Sequence, residues 1–210
     1  AMPAPKPGVP ALQSLSNYGR DTTFESSGTS QISVLDRDGN AVSMTTTIEG
    51  VFGSGLMASG FLLNNELTDF SFNSVDGDGK LIANRVEAGK RPRSSMSPTL
   101  VFDNQNNLKG VLGSPGGSRI HFYVLKALIA LIDWELNPYE TSALLNFGST
   151  GGALELEYSS HTVPLGLKLK TYGHPIKADL MNSGLNILWV REGLIEGGSD
   201  PRRGGSVLGK

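Results

Sequence analysis

The chain has 210 residues, 38% of them hydrophobic and 18% charged, with 27 glycines and a formal net charge of -2, the composition of a loop-rich globular protein long enough to bury a core. The balance of charge excludes a polyanion-binding surface, since the densest basic stretch is only Lys90-Arg91-Pro92-Arg93 and proline interrupts it. With no cysteine, disulfides, thiolate metal sites and a cysteine nucleophile are all excluded, while the compartment stays open.

Pro3, Pro5, Pro7 and Pro10, followed by polar residues up to the Glu25-Ser-Ser-Gly28 run, make residues 1–28 read as a linker or tail, with a folded domain over 29–210. Strands are predicted at 29–35 and 41–47, joined as a hairpin through Asp38-Gly39-Asn40. Further strands are predicted at 61–64 and 99–102, the latter pairing with 108–112 across the 103–107 turn. The Ser114-Pro-Gly-Gly-Ser118 run is followed by Ile120, Val124, Leu125, Leu128, Ile129, Leu131 and Ile132 at helical spacing, which predicts a central helix. The apolar stretch 120–136 is interrupted by His121, Lys126 and Asp133, so it reads as a buried helix and not a membrane span. No signal-peptide pattern occurs. A second helix is predicted over 138–145, with Asn137 as N-cap and Pro138 in the first position. Strands return at 153–158, 171–176, 186–190 and 194–197, the last two joined by Arg191-Glu192-Gly193. Strands, then helices, then strands indicate an α+β layered domain more than a parallel βαβ alternation.

Gly28-Thr29 carries the most specific chemistry. If that bond is cut, Thr29 gains a free α-amino group that can serve as base for its own hydroxyl. On the next strand Thr45 and Thr47 share one face and Thr46 takes the other, and local chemistry does not separate the three. Glycines in the 114–118 run let backbone approach a ligand, and amides at a helix start donate to an oxyanion; no Gly-Lys-Ser/Thr follows, so this is not a nucleotide loop. The Asp76-Gly-Asp78-Gly segment is not an EF-hand, because Arg85 falls where a bidentate glutamate belongs. His121, His161 and His174 are too scattered for a short zinc motif, and no metal or organic cofactor is expected.

The run from Thr29 to Thr47, Phe52-Gly-Ser-Gly, Leu62-Leu-Asn-Asn-Glu-Leu-Thr-Asp-Phe70, Lys90-Arg-Pro-Arg-Ser-Ser-Met-Ser-Pro-Thr99, Gly113-Ser-Pro-Gly-Gly-Ser118 and Ser199-Asp-Pro-Arg202 resembles the small, catalytic subunit of the γ-glutamyltranspeptidases. The resemblance implies an α+β fold of the N-terminal nucleophile hydrolase type, a layered αββα sandwich of which this is the catalytic half. It implies autoproteolysis between Gly28 and Thr29, with 1–28 the end of the large-subunit segment, 29–210 the small subunit, and Thr29 the nucleophile supported by Thr47. Gly116 and Gly117 match the oxyanion pair, Glu66 and Asp69 the residues that hold the substrate ammonium, and Ser94 and Ser95 those that hydrogen-bond its α-carboxylate. Glu49 stands where many of these enzymes have an asparagine that also contacts the ammonium.

The implied activity is hydrolysis or transfer of the γ-glutamyl group of glutathione and related amides. The alternatives are a cephalosporin-acylase-like or other amide hydrolase on the same fold, and a non-catalytic scaffold or assembly module. The implied partner is the large subunit of the same precursor, which supplies an arginine for the α-carboxylate; Arg91, Arg93 and Arg119 are not assumed to replace it. The chain thus reads as part of an enzyme, with water or an amine as acceptor, no nucleic-acid partner and no membrane span. The family points to a periplasmic or secreted location.

Overall fold

The computed structural model describes residues 18–19, 21–23, 28–149 and 152–209. Most of the linker expected over 1–28 lies outside the described residues. In chain order the elements are β1 (Thr29–Leu35), β2 (Ala41–Thr47), β3 (Met57–Ala58), β4 (Phe61–Leu62), β5 (Thr99–Phe102), β6 (Leu108–Gly113), α1 (Ile120–Ile132), α2 (Pro138–Ala143), β7 (Phe147–Gly148), β8 (Leu154–Glu157), α3 (Thr162–Thr171), β9 (Ile176–Asp179), β10 (Asn186–Arg191) and β11 (Leu194–Ser199). Contacts divide the chain into two compact units, one of 29–47 with 95–210, the other of 48–94 with the described residues before Thr29.

The larger unit is layered. Antiparallel β1 and β2 pair from Thr29 opposite Thr47 to Leu35 opposite Ala41. The turn between them is held by Asp36, whose carboxylate accepts from the Asp38 and Asn40 amides, with Gly39 at φ 85°. Asp103 repeats this device between β5 and β6, accepting from the Gln105 and Asn107 amides. The hairpin packs on a four-stranded antiparallel sheet ordered β11-β10-β6-β5. On the other side of that sheet lies the core, in which Leu112, Ile187 and Trp189 meet Ile120, Tyr123, Val124, Ala127 and Leu131 of α1. The spacing of those α1 residues is the helical one read from the sequence. α2 begins with a capping box, Asn137 Oδ1 accepting from the Glu140 amide at 2.9 Å and Glu140 Oε2 from the Asn137 amide at 3.2 Å.

Two expectations fail. Residues 171–176 are not a strand: Thr171 ends α3, and strand structure resumes only at Ile176. Pro164 and Gly166 hide α3 from sequence patterns, yet Pro164 sits in its first turn, where proline is tolerated, and Gly166 packs against Ile176 and Leu156. α3 links β8 to β9 in parallel, so a single βαβ crossover is embedded in the α+β domain. The strand expected over 61–64 is cut to Phe61–Leu62. Among the described residues no helix is long and apolar enough to cross a membrane.

Candidate active site

The inner face of the hairpin is polar. Thr45 Oγ1 donates to Gln31 Oε1 (2.6 Å), and Gln31 Nε2 donates to Ser43 Oγ (3.0 Å), which in turn donates to the Leu112 carbonyl (2.8 Å) and accepts from the Thr99 amide (3.2 Å). Ser33 Oγ donates to the Asn186 carbonyl at 3.1 Å. The hairpin is thus fixed to the second sheet by directional bonds, which set the position of Thr29 at its end. Ile32, Val34, Val42 and Met44 of the same strands point the other way and are 43–51% exposed.

Thr29 is 7% exposed and sits opposite Thr47, so the face shared by Thr45 and Thr47 is the inward one. A cavity of about 180 Å3 beside it is lined by Thr29, Pro115, Gly184, Asp200 and Arg203 among others. Pro115 belongs to the glycine loop, which Ser114 anchors: its hydroxyl donates to the Pro115 carbonyl at 2.7 Å and accepts from the Gly184 amide at 3.1 Å. Gly116 (φ 141°) and Gly117 (φ 62°) then lead into the helix. A Cβ on Gly116 would stand 2.4 Å from Tyr123 Cε2, so the ring supports the loop from below. Burial pushes the Tyr123 hydroxyl up to about 12. Ser95, half-buried, offers its carbonyl to the Ser97 hydroxyl at 3.0 Å.

Beyond the cavity, Asp200 and Arg202 organise a polar network. Arg202 pairs with Glu157 (2.5 and 2.7 Å) and Asp200 (3.0 Å) and donates to the Ser142 and Leu144 carbonyls. Buried Lys126 donates to the Leu144 carbonyl and to Asn146 Oδ1.

The smaller unit holds the other expected site residues. Glu66 and Asp69 lie on a short 3-10 turn, and Asn65 ties it to the Glu49-Gly50 bend by accepting from the Gly50 amide at 2.8 Å. Glu49 is 7% exposed, with φ at 70°. Burial, then the charges of Asp69 and Glu49, raise Glu66 above the ordinary glutamate value, so both neighbouring carboxylates act on Glu66. Glu66 Oε1 is buried without a hydrogen-bond partner. Asn84 joins Asp69 to the segment before Ser94: its Nδ2 donates to the Asp69 carbonyl (2.7 Å), and its Oδ1 accepts from the Arg93 amide (3.0 Å). Ser94 itself is exposed. Gly28 packs so closely that a Cβ would stand 2.3 Å from the Glu49 carbonyl oxygen.

Sequence reasoning missed Arg203, Asn84, Asn65, Gln31 and Tyr123. Only Gln31 and Tyr123 left a signal, the first as a polar residue on the strand face it shares with Thr29 and Ser33, and the second as a polar-tipped residue within the apolar run of α1.

A threonine opening a strand, two facing β-layers and a helical layer behind them are the arrangement of the N-terminal nucleophile hydrolases, here in an α+β layered catalytic half. The γ-glutamyltranspeptidase family model matches residues 4–210, and the chain belongs to that family. It is 39% identical over 196 residues to the glutathione hydrolase proenzyme of Escherichia coli K12, covering 88% of this chain and 33% of that protein. The chain therefore spans about a third of the length of the curated relatives it matches. Among solved structures it is similar to a γ-glutamyltranspeptidase mutant of Helicobacter pylori (TM-score 0.73, 37% identity, 82% of this chain and 99% of that one). It is also similar to a cephalosporin acylase of Bacillus halodurans (TM-score 0.71, 26% identity, 85% of this chain and 33% of that one).

Proposed function

We propose that this chain supplies the catalytic part of an enzyme that hydrolyses or transfers γ-glutamyl groups, with glutathione and related amides as substrates. The observation that carries the reading is Thr29, buried at the start of β1, opposite Thr47 and sharing a cavity with the glycine loop. Addition of one water across the Gly28-Thr29 bond leaves a carboxylate on Gly28 and an α-amine on Thr29. The Thr29 hydroxyl then adds to the γ-carbonyl carbon, its proton passing to the α-amine and on to the departing amine; water or an acceptor amine releases the ester and restores the hydroxyl. Gly116 and Gly117 amides stabilise the tetrahedral oxyanion, an effect worth ~3 kcal/mol per well-aimed donor. Thr47 supports the nucleophile, and no metal or organic cofactor takes part.

Glu49, Glu66 and Asp69 hold the substrate ammonium, and Ser94 and Ser95 its α-carboxylate. The crowding of Glu66 by the charges of Asp69 and Glu49 favours an acyl group that brings a cation, which supports γ-glutamyl over the glutaryl group of an acylase. The remaining two-thirds of the precursor is the partner, and supplies the arginine for the α-carboxylate. The similarity to the Bacillus halodurans acylase supports a second reading, amide hydrolysis with another acyl group.

The test is release of p-nitroaniline from γ-glutamyl and glutaryl anilides by the full precursor, with intact mass reporting the split before Thr29. Turnover of the γ-glutamyl anilide, lost in Thr29→Ala, is expected. Glutaryl turnover alone selects the acylase, and a precursor that neither splits nor turns over selects a scaffold.

A further inference from the structure

Arg202 and Arg203 are neighbours with opposite assignments. Arg202 is taken up by Glu157 and Asp200. Arg203 turns toward β1: its Nη1 donates to the Thr29 carbonyl and its Nη2 to the Asn182 carbonyl, both at 3.2 Å. Its Nε is buried without a hydrogen-bond partner, and among the described residues the guanidinium makes no ion pair. The stem crosses Gly184, where a Cβ would stand 2.8 Å from Arg203 Cδ. We infer that Arg203 is a positioning residue for the nucleophile: it clamps the Thr29 carbonyl and sets a positive charge, held in no ion pair of its own among the described residues, beside the Thr29 α-nitrogen, so that the freed amine stays unprotonated to lower pH. The inference rests on the reading of Thr29 as the nucleophile.

A residue's α-nitrogen lies within about 4 Å of its own carbonyl oxygen, which puts the guanidinium within about 7 Å of the amine. At that range, in a partly buried setting, one positive charge lowers an amine's pKa by about one to two units. Among the groups around Thr29 in this unit, Asp200 is the acid whose charge reaches Arg203, and that charge is shared with other partners. Asp200 is paired with Arg202 at 3.0 Å, accepts from the Ser183 hydroxyl at 2.5 Å and accepts from the Leu185 amide at 3.2 Å. Tyr123 stays neutral, β2 brings the uncharged Thr46 and Thr47, and the near ends of β6 and β10 are Gly113 and Asn186. On the Gly28 side of the bond the acid is Glu49, whose carbonyl packs against Gly28. The neutral amine is the base, so a lower pKa extends activity toward acid.

The experiment uses the full precursor with Arg203→Gln and Arg203→Lys, intact mass for the split, and γ-glutamyl-p-nitroanilide hydrolysis from about pH 5 to 10, which spans an α-amine's titration. Arg203→Gln is expected to move the acid limb of kcat up by about one unit, with KM unchanged above the limb, and Arg203→Lys to leave the limb in place. If Arg203→Gln fails to split while Arg203→Lys splits, the charge is needed at the carbonyl from the start and the inference stands. A limb that does not move in a processed Arg203→Gln enzyme overturns it, as does failure of both variants to split, since lysine keeps the charge. Undiminished turnover in Thr29→Ala refutes the nucleophile reading instead, whatever Arg203 does.

Discussion

Gly116 shows how a single residue type is forced by its surroundings. Its φ of 141° lies in the region that side chains avoid, and the Tyr123 ring occupies the space of a Cβ. Gly116→Ala is expected to cost ~2–3 kcal/mol of stability through backbone strain and a displaced ring. Gly117→Ala, at φ 62°, should cost nearer 1 kcal/mol. Urea unfolding of the two variants checks the order, and equal losses would mean that the ring yields freely. Thr29, Gly116 and the acids Glu66 and Asp69 could be proposed as site residues from the sequence because each stands in a block of distinctive residues. Arg203, Asn65 and Asn84 could not. Each acts on a backbone group distant in sequence: the Thr29 carbonyl, the Gly50 amide and the Asp69 carbonyl. Such contacts leave no local pattern.

At the scale of elements, the hairpins and α1 follow from periodicity and turn chemistry, because their side chains alternate or repeat as their surroundings require. α3 does not, since its proline and glycine are acceptable only through first-turn placement and a tight contact with β9. α1 also carries a polar residue on its buried stripe: Lys126 is 2% exposed and has only carbonyl acceptors. Burial, helped by the charge of Arg202, lowers it from 10.5 to about 8. Between those values the unfolded chain binds the proton and the folded chain does not, so stability should rise with pH across the window, by up to about 3 kcal/mol. Lys126→Met should remove that rise. The check is urea unfolding of both proteins at the two ends of the window, where parallel pH dependences would show that the ammonium is not strained by burial.

At the scale of the molecule, the hairpin inverts the usual pattern away from its turn, with Gln31, Ser33, Ser43 and Thr45 on the inward face and Ile32, Val34, Val42 and Met44 outward; only Leu35 and Ala41, next to the turn, are apolar and inward. Alternation in the sequence revealed two faces but not which was inward, because hydrogen bonds from Ser33 to the Asn186 carbonyl and from Ser43 to the Leu112 carbonyl tie the polar face to the second sheet. A two-stranded sheet with an exposed apolar face is marginal by itself. Val34→Thr with Val42→Thr and Met44→Gln should therefore reduce dye binding and self-association of the isolated chain, measured by ANS fluorescence and size-exclusion chromatography. In the full precursor the same changes should impair splitting before Thr29, and normal splitting would show that nothing essential covers this face.

The contact between Arg203 and Thr29 spans 174 positions, and that between Ser33 and Asn186 spans 153. Of the two partners in each contact, the strand that bears the Thr29 hydroxyl leaves the ribosome first and its seat follows. On the reading of Thr29 as the nucleophile, its chemistry waits until synthesis has passed Arg203, and a chain stalled or cut before that point would carry an inert threonine.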